Sequence, residues 1–514
     1  MSTASRIIKN TGWLYGRIAL TMFITLWTTR IVLKALGASD FGIYNIVGGA
    51  VTMLGFLNGT MVATTQRFIA HAEGEGNHTR IVSVFNVSLI IHWVIALVAA
   101  LALAVAGFVF FGGVLSIPAD RLNAAYLAYA SLVITTVFVI ISTPYDAILN
   151  AHENMRYYAL VGAVEALLRL LTAFACLYTS GDKLMVYAVL MSIIPIVTRV
   201  FMQVYCKLHY SECVIAPRRY YNRGILVEMT RFASYEFLIS FSTILLHSGM
   251  GVLLNHFYGT LLNAAHGIAN QLSGMLESVS VNMQKAVSPV IMKSEGGGNR
   301  NKMVDFTLLG CRFSFFIYSF FTIPIIVEMH YVLTLWLGEV PEWAVLFCQL
   351  QLLRVMLRQL TSSVDSALKA EGRIMDVSRV EVWIYLAPLA FTFLAFWFGM
   401  PPYWMYISLF LFWGFGIIVA QVYFMKRNCG MPVERFLREV VLKCICVAVT
   451  AFFVSLVVQA GFEEGILRLC MVGGCTVVAY SIAMWTLGMT GNERVFVKDT
   501  FRSLQLFTKN TSCK

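Results

Sequence analysis

Charged residues are scarce in this sequence. Only 13% of its 514 residues are Asp, Glu, Lys or Arg, whereas 59% are hydrophobic and the mean hydropathy is +0.74. Soluble domains carry about 25% charged residues. The composition therefore excludes an ordinary soluble protein and indicates a chain that crosses a membrane many times.

The motifs that usually carry enzymatic chemistry are also missing. The eleven cysteines form no CxxC pair and no Cys/His metal spacing, and most of them lie inside apolar runs as small apolar residues. There is no Gly-rich phosphate loop. We therefore expect no metal, no cofactor and no enzyme. A membrane polysaccharide polymerase or acyltransferase stays as the alternative from another class.

What the chain does have is long apolar runs, and a spanning helix needs about 20 such residues. The first residues, MSTASRIIKN, are short, polar and basic, and the run after them is too long for a signal peptide. We predict an all-α polytopic membrane protein with about fourteen transmembrane helices, near residues 12–34, 41–62, 81–111, 123–149, 158–179, 184–206, 232–257, 260–284, 306–335, 343–368, 381–399, 403–425, 441–460 and 467–488.

The loop charges predict the orientation of these helices. With the N-terminus inside, the inner segments carry 27 Lys and Arg residues and the outer segments carry four. Cytoplasmic loops are enriched in Lys and Arg. We therefore predict cytoplasmic N- and C-termini. The net charge of +11 is dispersed over these loops, which argues against nucleic acid as a partner.

A basic stretch at 207–231, KLHYSECVIAPRRYYNRGILVEMTR, divides the chain. We interpret it as a cytoplasmic linker whose basic and aromatic residues contact membrane lipids. The predicted organisation is a six-helix bundle at 1–206, the linker, a second six-helix bundle at 232–425, and two extra helices with a cytoplasmic tail at 426–514.

Two sequence matches indicate that the bundles are repeats. GASDFGIYNI at 37–46 aligns with GTLLNAAHGI at 259–268, and TPYDAILNAHE at 143–153 aligns with SSVDSALKAEG at 362–372. The second match places Asp146 opposite Asp365. The two offsets, 222 and 219, are nearly equal, which favours duplication of a six-helix unit. An even number of helices makes the two repeats parallel.

These features resemble the multidrug/oligosaccharidyl-lipid/polysaccharide (MOP) exporter superfamily, and within it the Wzx-type flippases of O-antigen and capsule synthesis. The shared pattern is the opening G-x-x-x-x-(G/A)-x-(Y/H)-x-I of helices 2 and 8 and the ending D-x-x-L-x-A of helices 4 and 10. The resemblance implies alternating access through a central cavity. It also implies a lipid-linked oligosaccharide as cargo, with polysaccharide polymerases and glycosyltransferases as partners.

Arginines at membrane depth are the first group of candidate site residues. Arginine binds phosphate with two parallel hydrogen bonds and stays charged, so a cavity that holds arginines suits a phosphate-bearing head group. The candidates for holding phosphate are Arg17, Arg30, Arg199, Arg312, Arg354 and Arg358.

Polar stripes at helical spacing are the second group. We expect a cavity-lining stripe, with proton exchange at one of its histidines, from Glu236, His247, His266, Asn270 and Glu277. Four other charged residues can be explained equally well as ion pairs that stabilise the fold and bind no cargo. Glu165 and Arg169 can neutralise each other four residues apart, and Asp146 and Asp365 can pair with groups at the ends of their helices.

The predicted function is therefore a flippase that moves a polyprenyl-pyrophosphate glycan across the inner membrane for O-antigen, capsule or other polysaccharide synthesis. A multidrug or metabolite exporter of the same superfamily is the first alternative. An excess of acids in the cavity would favour a drug-cation exporter, and the seven arginines and seven acids at depth do not decide the question.

Overall fold

The protein is helical throughout the residues that the structure describes. This computed structural model describes residues 3–52, 55–114, 118–491, 493 and 494, and it contains no β-strand in these ranges. The prediction of an all-α chain is confirmed. The α-helices are α1 Thr3–Thr52, α2 Gly55–Gly74, α3 His78–Val109, α4 Leu122–Ala151, α5 Met155–Tyr178, α6 Lys183–His209, α7 Pro217–Tyr220, α8 Arg223–Gly296, α9 Arg300–Val327, α10 Met329–Leu337, α11 Ala344–Gln359, α12 Val364–Glu371, α13 Ile374–Trp397, α14 Trp404–Ser408, α15 Ile417–Cys429, α16 Val433–Phe436, α17 Lys443–Ala460 and α18 Ile466–Ala483.

Eleven helices in the described ranges are long and apolar enough to cross a membrane. Each of the fourteen predicted runs falls on helical residues, but the count of fourteen is not confirmed. The runs at 41–62, 260–284 and 343–368 are not among the eleven. The third is interrupted between α11 and α12, and the second carries the polar stripe of His266, Asn270 and Glu277. The run at 41–62 includes residues 53 and 54, which lie outside the described residues, whereas polar content and a break distinguish the other two runs from the apolar helices.

Two glycines interrupt the longest helices at equivalent places. Gly37 in α1 has φ 78° and ψ 168°, and Gly259 in α8 has φ 83° and ψ −175°. Only glycine adopts this backbone conformation without strain. Both residues open the motif that suggested the repeat, 222 residues apart. The kinks therefore occur where two predicted spans meet, and α1 and α8 each contain such a junction.

The chain folds as two compact units. The N-terminal unit comprises Ile8–Ser240 and Met292–Asn299, and the C-terminal unit comprises Met1–Ile7, Phe241–Ile291 and Arg300–Lys514. The division in the sequence falls between Ser240 and Phe241, inside α8. The predicted tail beyond Arg494 lies outside the described residues.

Small side chains dominate the core of the N-terminal unit. One cluster contains Ala124, Ala125 and Ala128 of α4 with Ala188 of α6, all of which are buried. Between apolar helices in a membrane, small residues allow close backbone approach and dense packing. This packing fixes α4 against α6 and positions the polar side chains that these helices carry.

In the C-terminal unit, hydrogen bonds join the last two helices to α9. Ser455 of α17 and Thr476 of α18 lie 2.6 Å apart through their hydroxyl oxygens, and Ser319 of α9 lies 2.5 Å from the Tyr480 hydroxyl. All four residues are buried. The helices predicted as extra spans are therefore an integral part of this unit.

The predicted linker is docked on the N-terminal unit. The Asn86 side chain of α3 donates to the Val214 carbonyl at 2.8 Å and accepts from the Ala216 amide at 2.8 Å. Glu212 and Cys213 are buried. Since α6 ends at His209 and α8 begins at Arg223, only a short part of 207–231 lies outside helices.

Candidate polar site in the C-terminal unit

Two of the six candidate arginines are neutralised by acids from other segments. Arg199 of α6 forms an ion pair with Asp146 of α4. Arg312 of α9 forms an ion pair with Glu493 and donates to the Glu439 carbonyl at 3.3 Å. These contacts hold segments together, and the acids lie outside the helices that carry the arginines.

Two ion pairs lie along single helices, and the first of them was predicted. Arg169 Nη2 lies 2.7 Å from Glu165 Oε1 on α5, as the spacing of four residues suggested. Asp365 pairs with Lys369 at 2.9 Å on α12. The repeat-related acids therefore have different partners, because Asp146 meets an arginine of another helix.

Arg17 and Arg30 lie on α1 in the N-terminal unit. The Arg17 guanidinium lies 4.8 Å from the ring centroid of Tyr158, and its stem passes Gly162 so closely that a Cβ there would lie 2.7 Å from Arg17 Cδ. Arg30 is exposed. Arg354 and Arg358 belong to the C-terminal unit.

Arg354 is the centre of a buried polar cluster. Its residue is 3% exposed, its Nε donates to Gln351 Oε1 at 3.1 Å, and its guanidinium carbon lies 3.9 Å from the Trp413 ring centroid. Within the described residues, no carboxylate oxygen lies within 4 Å of it. The aromatic face stabilises the cation without neutralising it.

A chain of hydrogen bonds runs from Arg354 to Tyr406. Gln351 Nε2 donates to Asn270 Oδ1 at 3.0 Å, Asn270 Nδ2 lies 3.0 Å from His266 Nε2, and His266 Nδ1 lies 2.9 Å from the Tyr406 hydroxyl. Arginine can only donate. Gln351 must therefore present its oxygen to Arg354, and its NH₂ fixes the orientation of Asn270.

The direction of this chain sets the tautomer of His266. Because the Asn270 amide donates to Nε2, that nitrogen carries no proton, and Nδ1 donates to Tyr406. A second proton on His266 would break the bond from Asn270 and add a cation to the cluster that holds Arg354. The cluster therefore favours neutral His266.

His247 completes the cluster beside a small cavity. Its ring lies 5.0 Å from the Trp413 ring at an interplanar angle of 76°. A cavity of about 10 Å³ is lined by His247, His266, Asn270 and Gln351, together with Trp413 and apolar neighbours. A cavity of this volume holds about one water molecule. The structure thus joins His247, His266, Asn270 and Arg354, which the sequence placed on three predicted helices.

Arg358 lies one turn after Arg354 and bonds to a different amide. Its Nη1 donates to Gln421 Oε1 at 3.1 Å, and Gln421 Nε2 donates to Glu381 Oε1 at 2.9 Å. Glu381 is buried. The neutral amide therefore separates cation from acid, and Arg358 has no ion pair within 4 Å among the described residues.

The remaining stripe residues lie apart from this cluster or at its edge. Glu236 is buried in the N-terminal unit, whereas the other four belong to the C-terminal unit. Glu277 is partly buried and acts electrostatically on Arg354. Their placement in one aqueous cavity remains a prediction.

Four residues of the cluster were not predicted. Gln351 lies three and seven residues before Arg354 and Arg358, so extending the helical stripe backwards would have found it. Gln421, Tyr406 and Trp413 lie on other segments, and no spacing in the sequence connects them to α11. Their roles become visible only through packing.

Comparisons with solved structures identify the fold that holds this cluster. It is the fold of multidrug and toxin extrusion (MATE) transporters of the MOP superfamily. A MATE crystal structure in complex with MaD3S matches with a TM-score of 0.72 at 14% identity, covering 84% of this chain and 97% of that chain. A multidrug resistance MATE transporter in the outward-facing conformation matches with a TM-score of 0.71 at 13% identity and the same coverage.

A third solved structure is a MOP superfamily transporter from Pyrococcus furiosus. Its description states that the reverse polarity of its binding pocket suggests a different function. It matches with a TM-score of 0.69 at 14% identity, covering 85% of this chain and 97% of that chain. No protein-family profile and no curated protein sequence matches the chain. At these identities the comparisons establish the fold, and with the apolar helices they define a multi-pass membrane protein.

Proposed function

We propose that this protein is a membrane transporter that works by alternating access and binds the phosphate of its cargo at Arg354. The observation that carries the proposal is a buried arginine with no carboxylate oxygen within 4 Å among the described residues. A buried charge is costly unless it is paired. In the absence of cargo, a cation–π contact and one amide compensate it only in part, so an anionic group would stabilise the site.

The geometry of Arg354 suits phosphate in particular. Gln351 holds Nε and Trp413 holds the planar face. Among the described residues, neither terminal nitrogen donates to a protein acceptor. The two terminal nitrogens can therefore bind two phosphate oxygens in parallel, the arrangement that arginine provides and lysine does not. Arg358, one turn away, adds positive potential.

The cargo that we propose is a polyprenyl-pyrophosphate glycan, and the activity is flipping it across a bacterial inner membrane for polysaccharide synthesis. A pyrophosphate supplies the anionic group, while the polyprenyl tail can stay in the bilayer during transfer. The proposal includes cytoplasmic termini and a functional association with glycosyltransferases and a polysaccharide polymerase. It requires no cofactor and no covalent chemistry.

A multidrug exporter is the second candidate, and the comparisons favour it. One of the matched structures is described as a multidrug resistance transporter. The partly buried Glu277 and the buried Glu381 would serve a cationic drug better than a phosphate. The two candidates differ in the sign of the charge that the C-terminal unit must bind.

Binding to the purified protein in lipid nanodiscs separates the candidates. Wild type is titrated with polyprenyl pyrophosphate and, separately, with a lipophilic dye cation. We expect the anion to bind, Arg354→Ala to abolish that binding, and Arg354→Lys to restore it only partly. Arg373→Ala is the matched control, because the Arg373 side chain is 78% exposed. The drug exporter would be favoured if wild type does not bind the anion and if Arg354→Ala still binds the dye cation.

A further inference from the structure

A short motif occurs twice at the repeat offset, in segments that no predicted site includes. Residues 73–77 read EGEGN and residues 295–299 read EGGGN, again 222 positions apart. The helices that follow, α3 and α9, begin at His78 and Arg300, which are also 222 positions apart. The first segment ends α2 and the second ends α8. We call them the first and second EG-x-GN segments.

The two segments form the same turn. Gly76 and Gly298 have φ 69° and φ 72°. The Asn77 amide donates to the Ala72 carbonyl at 3.1 Å, and the Asn299 amide donates to the Ser294 carbonyl at 2.9 Å. Glycine is favoured at such a position because positive φ strains other residues. The motif is therefore conserved between the repeats in conformation as well as in sequence.

The segments also pack against each other reciprocally within the N-terminal unit. A Cβ on Gly74 would lie 2.2 Å from the Lys293 carbonyl oxygen, and a Cβ on Gly296 would lie 2.1 Å from the His71 carbonyl oxygen. His71 and Lys293 are themselves 222 positions apart. This is the pattern of a two-fold contact, in which each partner uses the same surface. Only glycine permits this backbone approach.

Charged side chains surround the crossing. Lys293 Nζ lies 2.9 Å from Glu73 Oε1 and 3.2 Å from Glu153 Oε1. His152 lies 3.5 Å from Glu73 and is hydrogen-bonded to Glu212 of the linker. The α4–α5 turn and the linker are therefore tied to both segments by ion pairs.

From this geometry we propose that the crossing of the EG-x-GN segments is a gate of the transport cycle, which opens to let cargo enter or leave on the side of the linker. The proposal rests on the alternating access proposed above, but it is independent of the cargo. Opening would expose backbone and ion-paired side chains, which water solvates well, and very little apolar surface. Interfaces that must part repeatedly need this composition. The tight glycine contact provides a close seal in the shut state.

A reversible cross-link tests the gate. Glu73→Cys and Lys293→Cys are combined in a cysteine-free background and bridged with a short bifunctional methanethiosulfonate. The protein is then reconstituted in liposomes, and transport of polyprenyl pyrophosphate and of a lipophilic dye cation is measured. We expect the bridge to lower transport of the accepted cargo by at least about ten-fold, and reduction of the bridge to restore it. Full transport by the bridged protein would overturn the proposal.

The matched control bridges an ion pair elsewhere. Asp305→Cys with Arg435→Cys replaces a pair 2.6 Å apart in the C-terminal unit, and its bridge should leave transport unchanged. Measuring transport of both cargoes separates the gate proposal from the flippase proposal. If only the cation is transported and the bridge blocks it, the flippase proposal fails and the gate stands.

Hydrogen exchange gives a readout that needs no cargo. A gate predicts that residues 71–77 and 293–299 exchange together in one opening step and that the bridge suppresses this exchange. Gly74→Ala or Gly296→Ala should accelerate exchange in both segments, whereas Gly274→Ala should not, since nothing lies within 4 Å of its Cβ position. Exchange that the bridge leaves unchanged would contradict a gate.

Discussion

Two groups of arginines are stabilised in different ways. In the N-terminal unit, Arg199 pairs directly with Asp146 and Arg169 with Glu165. Around Arg354 and Arg358 in the C-terminal unit, amides and an aromatic ring stand where the acids would be. A direct pair is satisfied without a ligand, whereas the second arrangement keeps the cation available. Because Arg312 and Glu493 also pair directly in the C-terminal unit, the difference distinguishes Arg354 and Arg358 from the paired arginines of both units.

The largest expected effect comes from breaking a direct pair. Arg199→Met leaves Asp146 buried without its counter-charge, and removal of one partner of a buried pair costs about 3–5 kcal/mol. We expect a loss near the lower figure, since the Arg199 side chain is 21% exposed. Thermal unfolding in detergent measures it. The double variant Arg199→Met with Asp146→Leu should recover most of the loss; a double variant as unstable as the single one would contradict the pairing.

Removal of Arg354 should weaken anion binding but leave the stability of the protein nearly unchanged. Arg354→Met deletes a cation that has no acid partner, so we expect stability to change by less than about 1 kcal/mol. Anion binding should fall by about 10- to 100-fold, the value of a hydrogen-bonded charge. Titration with polyprenyl pyrophosphate and thermal unfolding measure the two effects. A large loss of stability would mean that Arg354 is structural, like Arg199.

Adding an acid beside Arg354 should convert an arginine that is bonded to an amide into one that is paired directly with an acid. Gln351→Glu places a carboxylate where the amide oxygen accepts from Arg354 Nε at 3.1 Å. We expect anion binding to be lost because the cation is neutralised. Thermal stability should change little, since the new ion pair offsets the lost hydrogen bond to Asn270 Oδ1. Gln351→Leu is the control: it removes the hydrogen bonds without adding charge, so anion binding should persist in weakened form.

The sequence predicted the features that depend on neighbours along the chain. Apolar runs located the eleven described helices that are long and apolar enough to cross a membrane, and the spacing of four residues anticipated the pair of Glu165 with Arg169. Contacts between helices were beyond it, because the partner of Arg199 on α4 depends on packing and not on spacing. The EG-x-GN repeat was missed for another reason. It lies where α2 and α8 end, outside the apolar runs in which the other repeat motifs lie, although its offset of 222 is visible in the sequence.

The smallest predicted effect is a pH dependence caused by the charged residues around the crossing of the EG-x-GN segments. Burial lowers the pKa of His152, but its bonds to Glu212 and Glu73 outweigh this and raise it from 6.5 to about 9. Burial raises the pKa values of Glu73 and Glu212, and the same bonds outweigh it and lower both. The facing groups are these two acids, Lys293 through Glu73, and the Tyr210 ring stacked at 4.3 Å.

The direction of the pH effect follows from these shifts. The contribution of His152 is complete below pH 6.5 and is lost as the pH rises through about 9, and that of the acids is lost as the pH falls below 4.5. Protection of residues 71–77 against hydrogen exchange, corrected for intrinsic rates, should be greatest between these limits. His152→Gln should remove the alkaline loss. An identical alkaline loss in that variant would show that another group titrates.

The most direct test of the binding charge compares two ligands on three proteins. Wild type, Gln351→Glu and Arg354→Met are titrated in nanodiscs with polyprenyl pyrophosphate and with a lipophilic dye cation. If Arg354 binds the phosphate of the cargo, wild type should bind the anion. Both variants should remain folded and bind it at least about ten-fold more weakly. Equal anion binding by all three proteins, or binding of the cation alone by wild type, would contradict it.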